Sequence, residues 1–180
     1  MERIVALLRG VNVGGRRLSM AELRAHLSAH GCDDVATYIQ SGNVVLTPPS
    51  GPADLDDWLS TRIGEAAGFD VPTVTRSAAE IDSVVAANPY PQASGTQLHV
   101  VFFPAVSAEI EAAIAAVDLD AVAPETCTLA GRDLYLYLPN GMGRAALPVA
   151  LEKAGRKQRS PGGTSRNWNT VRKLQEMLHG

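Results

Sequence analysis

The sequence of 180 residues predicts an α+β fold of two tandem units, each with strands and helices in the order β-α-β-β-α-β. Three observations support this: two successive series of short apolar runs, Ser-x-x-Glu capping boxes at Ser19 and Ser77, and glycines where helices should end. Units of this order form the ferredoxin-like split βαβ fold, whose antiparallel sheet has the strand order 4-1-3-2. We predict a first unit at residues 1–76, a connecting helix and proline-rich linker at 77–94, and a second unit with a C-terminal helix at 95–180.

Apolar periodicity and turn residues assign the elements of the first unit in order. The predicted elements are a strand at 3–8, a helix between Ser19 and Gly31, strands at 35–40 and 43–47 around Ser41-Gly42, a helix between Pro52 and Gly68, and a strand at 71–76. Pro72 cannot donate a ladder hydrogen bond, so it confines the last of these strands to a sheet edge. The fourth strand of the predicted fold is an edge strand, which agrees with this position.

The second half of the chain repeats this order after a connecting helix. The predicted elements are a helix between Ser77 and Asn88, a strand at 98–103, a helix from Ser107, strands at 126–130 and 133–138, a helix at 148–154 ended by Gly155, a short strand at 163–166, and a helix from Trp168. Apolar residues recur on one face of the last helix, which predicts that this face packs on a core.

The first strand of the chain is apolar on both faces. Ile4, Ala6 and Leu8 alternate with Val5 and Leu7 along this strand. At about 25 cal/mol per Å² of apolar surface, leaving one of these faces in water would forfeit several kcal/mol. We therefore predict that Val5 and Leu7 are buried under the other unit, the C-terminal helix or another subunit.

Composition excludes several classes of protein. Hydrophobic residues form 46% of the chain and charged residues 19%, which excludes an intrinsically disordered chain. The net charge of −3 and the pI of 5.8 exclude a generally basic nucleic-acid-binding protein. The charge is nevertheless uneven, with +3 on residues 1–30, −11 on 31–150 and +5 on 151–180. The basic ends would form a local positive field if they meet in space, and otherwise they are solvated surface.

Cysteine and histidine positions give no sign of a redox or metal motif. Cys32 and Cys127 lie far apart, which predicts reduced thiols and a cytoplasmic protein. The histidines form no HExxH motif, and the closeness of His30 to Cys32 is a weak signal, so the sequence predicts no metal and no cofactor. The apolar run at 4–8 is too short for a signal peptide or a membrane span, so no membrane partner is predicted.

The predicted topology brings three loops to one end of the first sheet: the segment after strand one, the 41–43 hairpin and residues 68–70. Consecutive glycines can direct backbone N–H groups toward an anion, and arginine and asparagine side chains add charge and donors. The predicted ligand-binding residues at this end are Arg9, Asn12, Gly14, Gly15, Arg16, Arg17, Ser41, Gly42 and Asn43. The alternative is a tight glycine turn with solvated arginines.

A second polar segment near the C-terminus adds Arg166 and Asn167 as candidate ligand-binding residues. Their structural alternative is that Asn167 or Thr170 caps the final helix. A P-loop is disfavoured, because Arg16 and Arg17 stand where a P-loop needs Lys and Ser/Thr. The sequence also shows no GxGxxG motif, no arrangement typical of a catalytic triad and no paired carboxylates that flank an obvious pocket, so catalytic residues are not assigned. Its predicted strands at 4–8 and 43–47 lack the aromatic residues of an RNA-recognition sheet.

Four motifs span nearly the whole chain: residues 9–15, 39–44, 134–139 with Gly141, and 164–171. In this order they resemble the bacterial domain-of-unknown-function family sixteen-ninety-seven. The resemblance implies two tandem ferredoxin-like domains, of the α/β plait type, and no established activity. Residues 159–163 depart from the family pattern just before the predicted last strand.

Two functions remain open from the sequence. The first is a binding module for an anionic ligand, such as a nucleotide, a phosphorylated metabolite or a nucleic-acid backbone. The second is an enzyme acting on a phosphorylated or carboxylated small substrate, in which Arg9 or Arg16 stabilises developing charge. The scarcity of acids, bases and nucleophiles near these loops favours binding. The sequence predicts either a monomer or a homodimer that associates through an apolar sheet face.

Overall fold

Two four-stranded sheets form the framework of residues 2–160 and 162–180, which a computed structural model describes. The first half contains β1 (Ile4–Leu8), α1 (Met20–Ala29), β2 (Asp33–Tyr38), β3 (Asn43–Thr47), α2 (Leu55–Ala67), β4 (Thr73–Ser77) and α3 (Ala78–Ala86). The second half contains β5 (Leu98–Phe102), α4 (Ala108–Ala115), β6 (Thr126–Ala130), β7 (Asp133–Tyr137), α5 (Leu147–Gln158), β8 (Thr164–Asn167) and α6 (Trp168–His179). Among the described residues, no helix combines the length and apolar character needed to cross a membrane.

The strand order is β2-β3-β1-β4 in the first sheet and β6-β7-β5-β8 in the second. All neighbouring strands are antiparallel. This topology confirms the predicted α+β fold with two tandem ferredoxin-like units. It also confirms that the strand after Pro72 lies at a sheet edge.

The core of the first sheet forms between its central strands and the helices α1 and α2. One face of β1 contributes Ile4, Ala6 and Leu8 to this core. Leu23 of α1 and Ile63 of α2 are fully buried in the same cluster. Ser19 accepts a backbone N–H as the predicted N-cap of α1. Helix α2 begins later than predicted, because its N-cap is Asp54, so Pro52 lies before the helix rather than in its first turn.

The other face of β1 is buried as well. Val5 and Leu7 each have 0% of their surface exposed within the single chain. The prediction that both side chains leave water is therefore confirmed.

The chain divides into two compact units, and the first of them combines residues from both ends of the sequence. Residues up to Ser83 together with Lys173–Gly180 form the first unit, and Val84–Arg172 form the second. Within the first unit, Gln175 Nε2 donates to Asp82 Oδ1 at 2.7 Å, so the C-terminal half of α6 lies beside the middle of α3. The predicted capping box at Ser77 is confirmed, because Ser77 and Glu80 exchange two hydrogen bonds of 2.8 and 3.2 Å.

Several predicted element ends are wrong. Strand β2 spans Asp33–Tyr38 rather than 35–40, and β4 spans Thr73–Ser77 rather than 71–76. The first hairpin turns over four residues, Ile39 to Gly42, rather than around Ser41-Gly42 alone, because both Ile39 (φ 51°) and Gly42 (φ 84°) adopt left-handed backbone. Helix α5 continues through Gly155 to Gln158. Its left-handed cap is Arg159, with a φ of 55°, so Gly155 does not end the helix. Part of the departure from the family pattern, Pro161, lies outside the described residues.

The second sheet packs on α4 and α5 through a separate core. Phe103, Leu134 and Leu136 from the sheet region join Ile110 and Leu147 from the helices in this cluster. His99 of β5 is buried at 9% exposure, and its Nδ1 makes no hydrogen bond among the described residues. Because burial penalises the charged imidazolium, it lowers the pKa of His99 below the ordinary 6.5.

We expect acid to destabilise the folded protein through His99. Between the lowered pKa in the folded state and the pKa of 6.5 in the unfolded chain, the unfolded chain binds more protons. The free energy of unfolding therefore falls as the pH is lowered through this window. Urea unfolding from about pH 7.5 to 5 should give a flatter pH profile for His99→Gln than for the wild type. Equal profiles would show that His99 does not couple protonation to folding.

Candidate functional site

Three loops meet at one end of the first sheet, as the predicted topology requires. Asn12 Nδ2 donates to the Gln40 carbonyl at 2.7 Å, which joins the loop after β1 to the first hairpin. The Arg9 N–H donates to the Pro72 carbonyl at 2.9 Å, which joins the same loop to the segment before β4. We call residues 9–19, 39–42 and 68–72 together the loop end.

The paired glycines form the tip of a tight turn. The Arg16 N–H donates to the Val13 carbonyl at 3.0 Å, and the two residues form an isolated β-bridge. Gly14 and Gly15 between them have φ angles of 56° and 85°, as in a type I′ turn. Both glycines are exposed. The turn therefore presents the loop to solvent, and its geometry explains why glycine stands at both central positions.

The two asparagines hold the loops in place. Asn12 Oδ1 accepts the Leu18 N–H at 3.0 Å, and its Nδ2 donates across the loop end. Asn43 is fully buried, and its Nδ2 donates to the Tyr38 carbonyl at 3.0 Å and to Ser41 Oγ at 3.1 Å. Because these amides bind the protein's own backbone and side chains, they position the arginines rather than face a ligand.

The arginines form the exposed part of the loop end. Arg9, Arg16 and Arg17 are all exposed. The Arg16 guanidinium lies 5.4 Å from the centre of the Phe69 ring, a cation–π distance. This contact orients Arg16 while the N–H groups at the guanidinium edge keep their capacity to donate. Asp70 is the one carboxylate in the three loops, so cations exceed anions there by three to one.

The C-terminal candidates belong to the second unit and have structural partners there. Asn167 Oδ1 accepts the Thr170 N–H at 2.8 Å, so it caps α6. Arg166 is buried, and its Nη1 donates to Thr164 Oγ1 at 2.7 Å and to the Ser165 carbonyl at 2.8 Å. Burial lowers the pKa of Arg166 to about 10, which still leaves it charged at neutral pH.

Sequence reasoning missed a second buried arginine, Arg76 of β4. Its Nη1 donates to the preceding carbonyl, that of Thr75, at 2.8 Å. The same contact is made by Arg166 in β8, and each arginine lies opposite a valine of the neighbouring central strand. The sequence did contain a signal for this equivalence. The repeated order of elements places Arg76 and Arg166 at matching positions, near the end of a strand that leads directly into a helix.

One group among the described residues offers ligand atoms for a metal ion. His26, His30 and Glu65 each place one such atom within 4.8 Å of the other two. The signal in the sequence was the spacing of four between the histidines at the end of a predicted helix. Cys32, which the sequence places near His30, is a poor metal ligand here. Burial raises the pKa of its thiol to about 11, which disfavours the thiolate that binds metals.

Comparisons with known proteins give a family and a fold. A family model described as "Protein of unknown function (DUF1697)" matches residues 1–135. The conserved bacterial protein SP0830 from Streptococcus pneumoniae has a similar structure, with a TM-score of 0.76 at 21% sequence identity. The match covers 100% of this chain and 99% of that one, and at this identity it shows a shared fold alone. No curated protein matches the chain.

Proposed function

We propose that this protein, which belongs to the family described as "Protein of unknown function (DUF1697)", binds a phosphate-bearing anion at its loop end. Nucleotides, phosphorylated metabolites and nucleic-acid backbones share this chemistry. The observation that carries the proposal is the convergence of three loops whose exposed side chains include Arg9, Arg16 and Arg17. Arginine suits phosphate because its planar N–H fork can donate two parallel hydrogen bonds to the phosphate oxygens.

Hydrogen bonds and one ring contact support the loops that carry the arginines. Asn12 and Asn43 fix the backbone of two loops through hydrogen bonds of 2.7 to 3.1 Å. Phe69 from the third loop supports the Arg16 guanidinium. Side chains that are already positioned lose less conformational entropy when a ligand binds, which favours affinity. The local excess of cations attracts an anion even though the whole chain carries a net charge of −3.

The proposal includes a cytoplasmic location and a monomeric binding unit. Cys32 and Cys127 are free thiols, which suits a reducing compartment. Val5 and Leu7 are buried within one chain, so that sheet face needs no second subunit to leave water. The ligand-binding role rests on exposed arginines in loops where no acid–base pair is assigned, which favours a binding module over an enzyme.

We expect Arg16→Ala/Arg17→Ala to weaken anion binding by about tenfold to a hundredfold, the loss expected for two exposed hydrogen bonds of about 1 kcal/mol each. A thermal-shift panel of pyrophosphate, ATP, a sugar phosphate and a single-stranded oligonucleotide first selects the probe that stabilises the wild type most. Titration of that probe then gives the affinity of each variant at several salt concentrations. The double variant should also show a weaker dependence on salt, because fewer ionic contacts remain.

The matched control is Lys153→Ala/Lys157→Ala, which removes the same charge from two exposed positions of α5. This control should bind the probe with wild-type affinity. If both double variants lost the same affinity for the probe, the loss would come from the change in net charge, and the proposed site would be overturned. Turnover of a phosphorylated probe would instead favour the enzymatic alternative.

A further inference from the structure

A histidine pair and a glutamate from two different helices meet at one place in the first unit. His26 lies in the last turn of α1, His30 is the residue that caps this helix, and Glu65 lies near the end of α2. Their ligand atoms all lie within 4.8 Å of one another. Both histidines are half-buried and the glutamate is exposed, so the group is open to solvent on one side.

The distance between His26 and Glu65 already suits a metal site. His26 Nε2 lies 3.4 Å from Glu65 Oε2. In tetrahedral zinc sites, metal–ligand bonds of about 2.0–2.2 Å place neighbouring ligand atoms about 3.3 Å apart. His26 Nε2 is shielded from solvent and makes no aligned hydrogen bond among the described residues. Where Nε2 keeps its lone pair, two acceptors lie 3.4 Å apart here, and a bound cation would satisfy both.

A backbone carbonyl determines which nitrogen of His30 can bind a metal. His30 Nδ1 lies 2.8 Å from the carbonyl oxygen of His26. A carbonyl only accepts, so Nδ1 carries the proton and Nε2 keeps the lone pair in the neutral ring. Histidine ligands in metal sites are commonly oriented in this way, by donation of the other ring N–H to a carbonyl or carboxylate. The ring centres of the two histidines lie 4.3 Å apart.

The geometry points to a binding site for a divalent transition-metal ion, with His26, His30 and Glu65 as its three protein ligands. Two imidazoles and one carboxylate are borderline ligands that suit Zn²⁺ and its neighbours better than Ca²⁺ or Mg²⁺. Three protein ligands leave one tetrahedral position for water or a further ligand. The ion would link the end of α1 to α2.

Arg62 is the competing cation at this place. Its Nη1 lies 3.0 Å from Glu65 Oε2, the same oxygen that faces His26. In the absence of metal the guanidinium therefore balances the carboxylate. A bound ion must share or displace this ion pair, so Arg62 lowers metal affinity and its removal should raise it.

Isothermal titration of tag-free, chelator-treated full-length protein with zinc chloride tests the site. We expect one ion per chain with micromolar or tighter affinity, and a raised melting temperature when zinc is in excess. His26→Gln, His30→Gln and Glu65→Gln should each weaken binding by at least about tenfold. Arg62→Met should instead strengthen it severalfold, which an adventitious surface site would not predict.

His179→Gln is the control, because it removes an exposed histidine that pairs with Asp82 elsewhere in the unit. It should bind zinc as the wild type does. Circular dichroism checks that each variant is folded, and the absorption spectrum of the Co²⁺ form reports the ligand types. Unchanged affinity in His26→Gln or His30→Gln would overturn the assignment, as would unchanged affinity in Glu65→Gln. A cobalt–thiolate charge-transfer band would also overturn it, because it would show that cysteine binds the ion.

Discussion

Replacing Gly42 by alanine should lower the free energy of unfolding by about 2–5 kcal/mol. Two costs add at this position. Its φ of +84° is a conformation that residues with a side chain adopt at a cost of about 1–2 kcal/mol. A Cβ atom there would lie 2.6 Å from Val11 Cγ2 and 2.7 Å from Leu8 Cβ, closer than carbon atoms can approach. The hairpin and the loop after β1 would have to separate to accommodate it.

Gly15→Ala is the matched control for this experiment. Gly15 has a φ of +85°, but a Cβ atom built there meets nothing within 4 Å. Chemical denaturation should therefore show only the backbone cost of about 1–2 kcal/mol for Gly15→Ala. If the two variants lose the same stability, the close approach of Gly42 to Val11 and Leu8 contributes nothing. Gly42→Ala should also weaken anion binding at the loop end, because the loops it joins carry the arginines.

The second large effect is expected at Glu125 in the second unit. This carboxylate is buried, and its oxygens accept the N–H groups of Ala146 at 3.1 Å and Leu147 at 2.7 Å. Ala146 is the N-cap residue of α5 and has no side-chain acceptor of its own. Glu125 therefore caps the helix from a distant part of the chain. Its negative charge also interacts favourably with the positive N-terminal end of the helix dipole. Glu125→Ala leaves two backbone donors without an acceptor and should cost about 2–4 kcal/mol.

Two further variants separate the causes of this loss. Glu125→Gln keeps one acceptor oxygen and should lose roughly half as much stability. Asp118→Ala removes a carboxylate that also accepts two backbone N–H groups, those of Asp120 and Ala121, but at an exposed position. Water replaces that acceptor, so its loss should stay below about 1 kcal/mol. A loss as large for Asp118→Ala as for Glu125→Ala would show that burial is not the source of the effect.

Local signals predicted the elements of this fold well, because their causes lie within a few residues. The capping box at Ser77, the N-cap at Ser19 and the left-handed Gly68 at the end of α2 all act on neighbouring backbone groups. The strand order followed from the order of the elements. The end of α5 was predicted wrongly because Gly155 can stay helical, and the left-handed residue is instead Arg159, which carries a side chain.

Roles that depend on distant partners could not be predicted in this way. The sequence placed Asn12 and Asn43 near a ligand, yet their amides bind carbonyls and a hydroxyl that only the folded chain brings close. The histidine pair was visible as a spacing of four on one helix. Glu65 joins it only because α2 packs on α1, and no local pattern reports that contact.

The first unit is assembled from two separate stretches of chain, because Lys173–Gly180 belong to it and Val84–Arg172 do not. Asp82 bridges those stretches through Gln175 at 2.7 Å and His179 at 3.0 Å. A ribosome makes the chain from its N-terminus, and a unit packs only when all of its parts have emerged. The second unit can therefore finish folding before the first, although the first is begun earlier. A chain truncated within residues 84–172 therefore carries an incomplete first unit, which exposes the surface that residues 173–180 cover in the full chain.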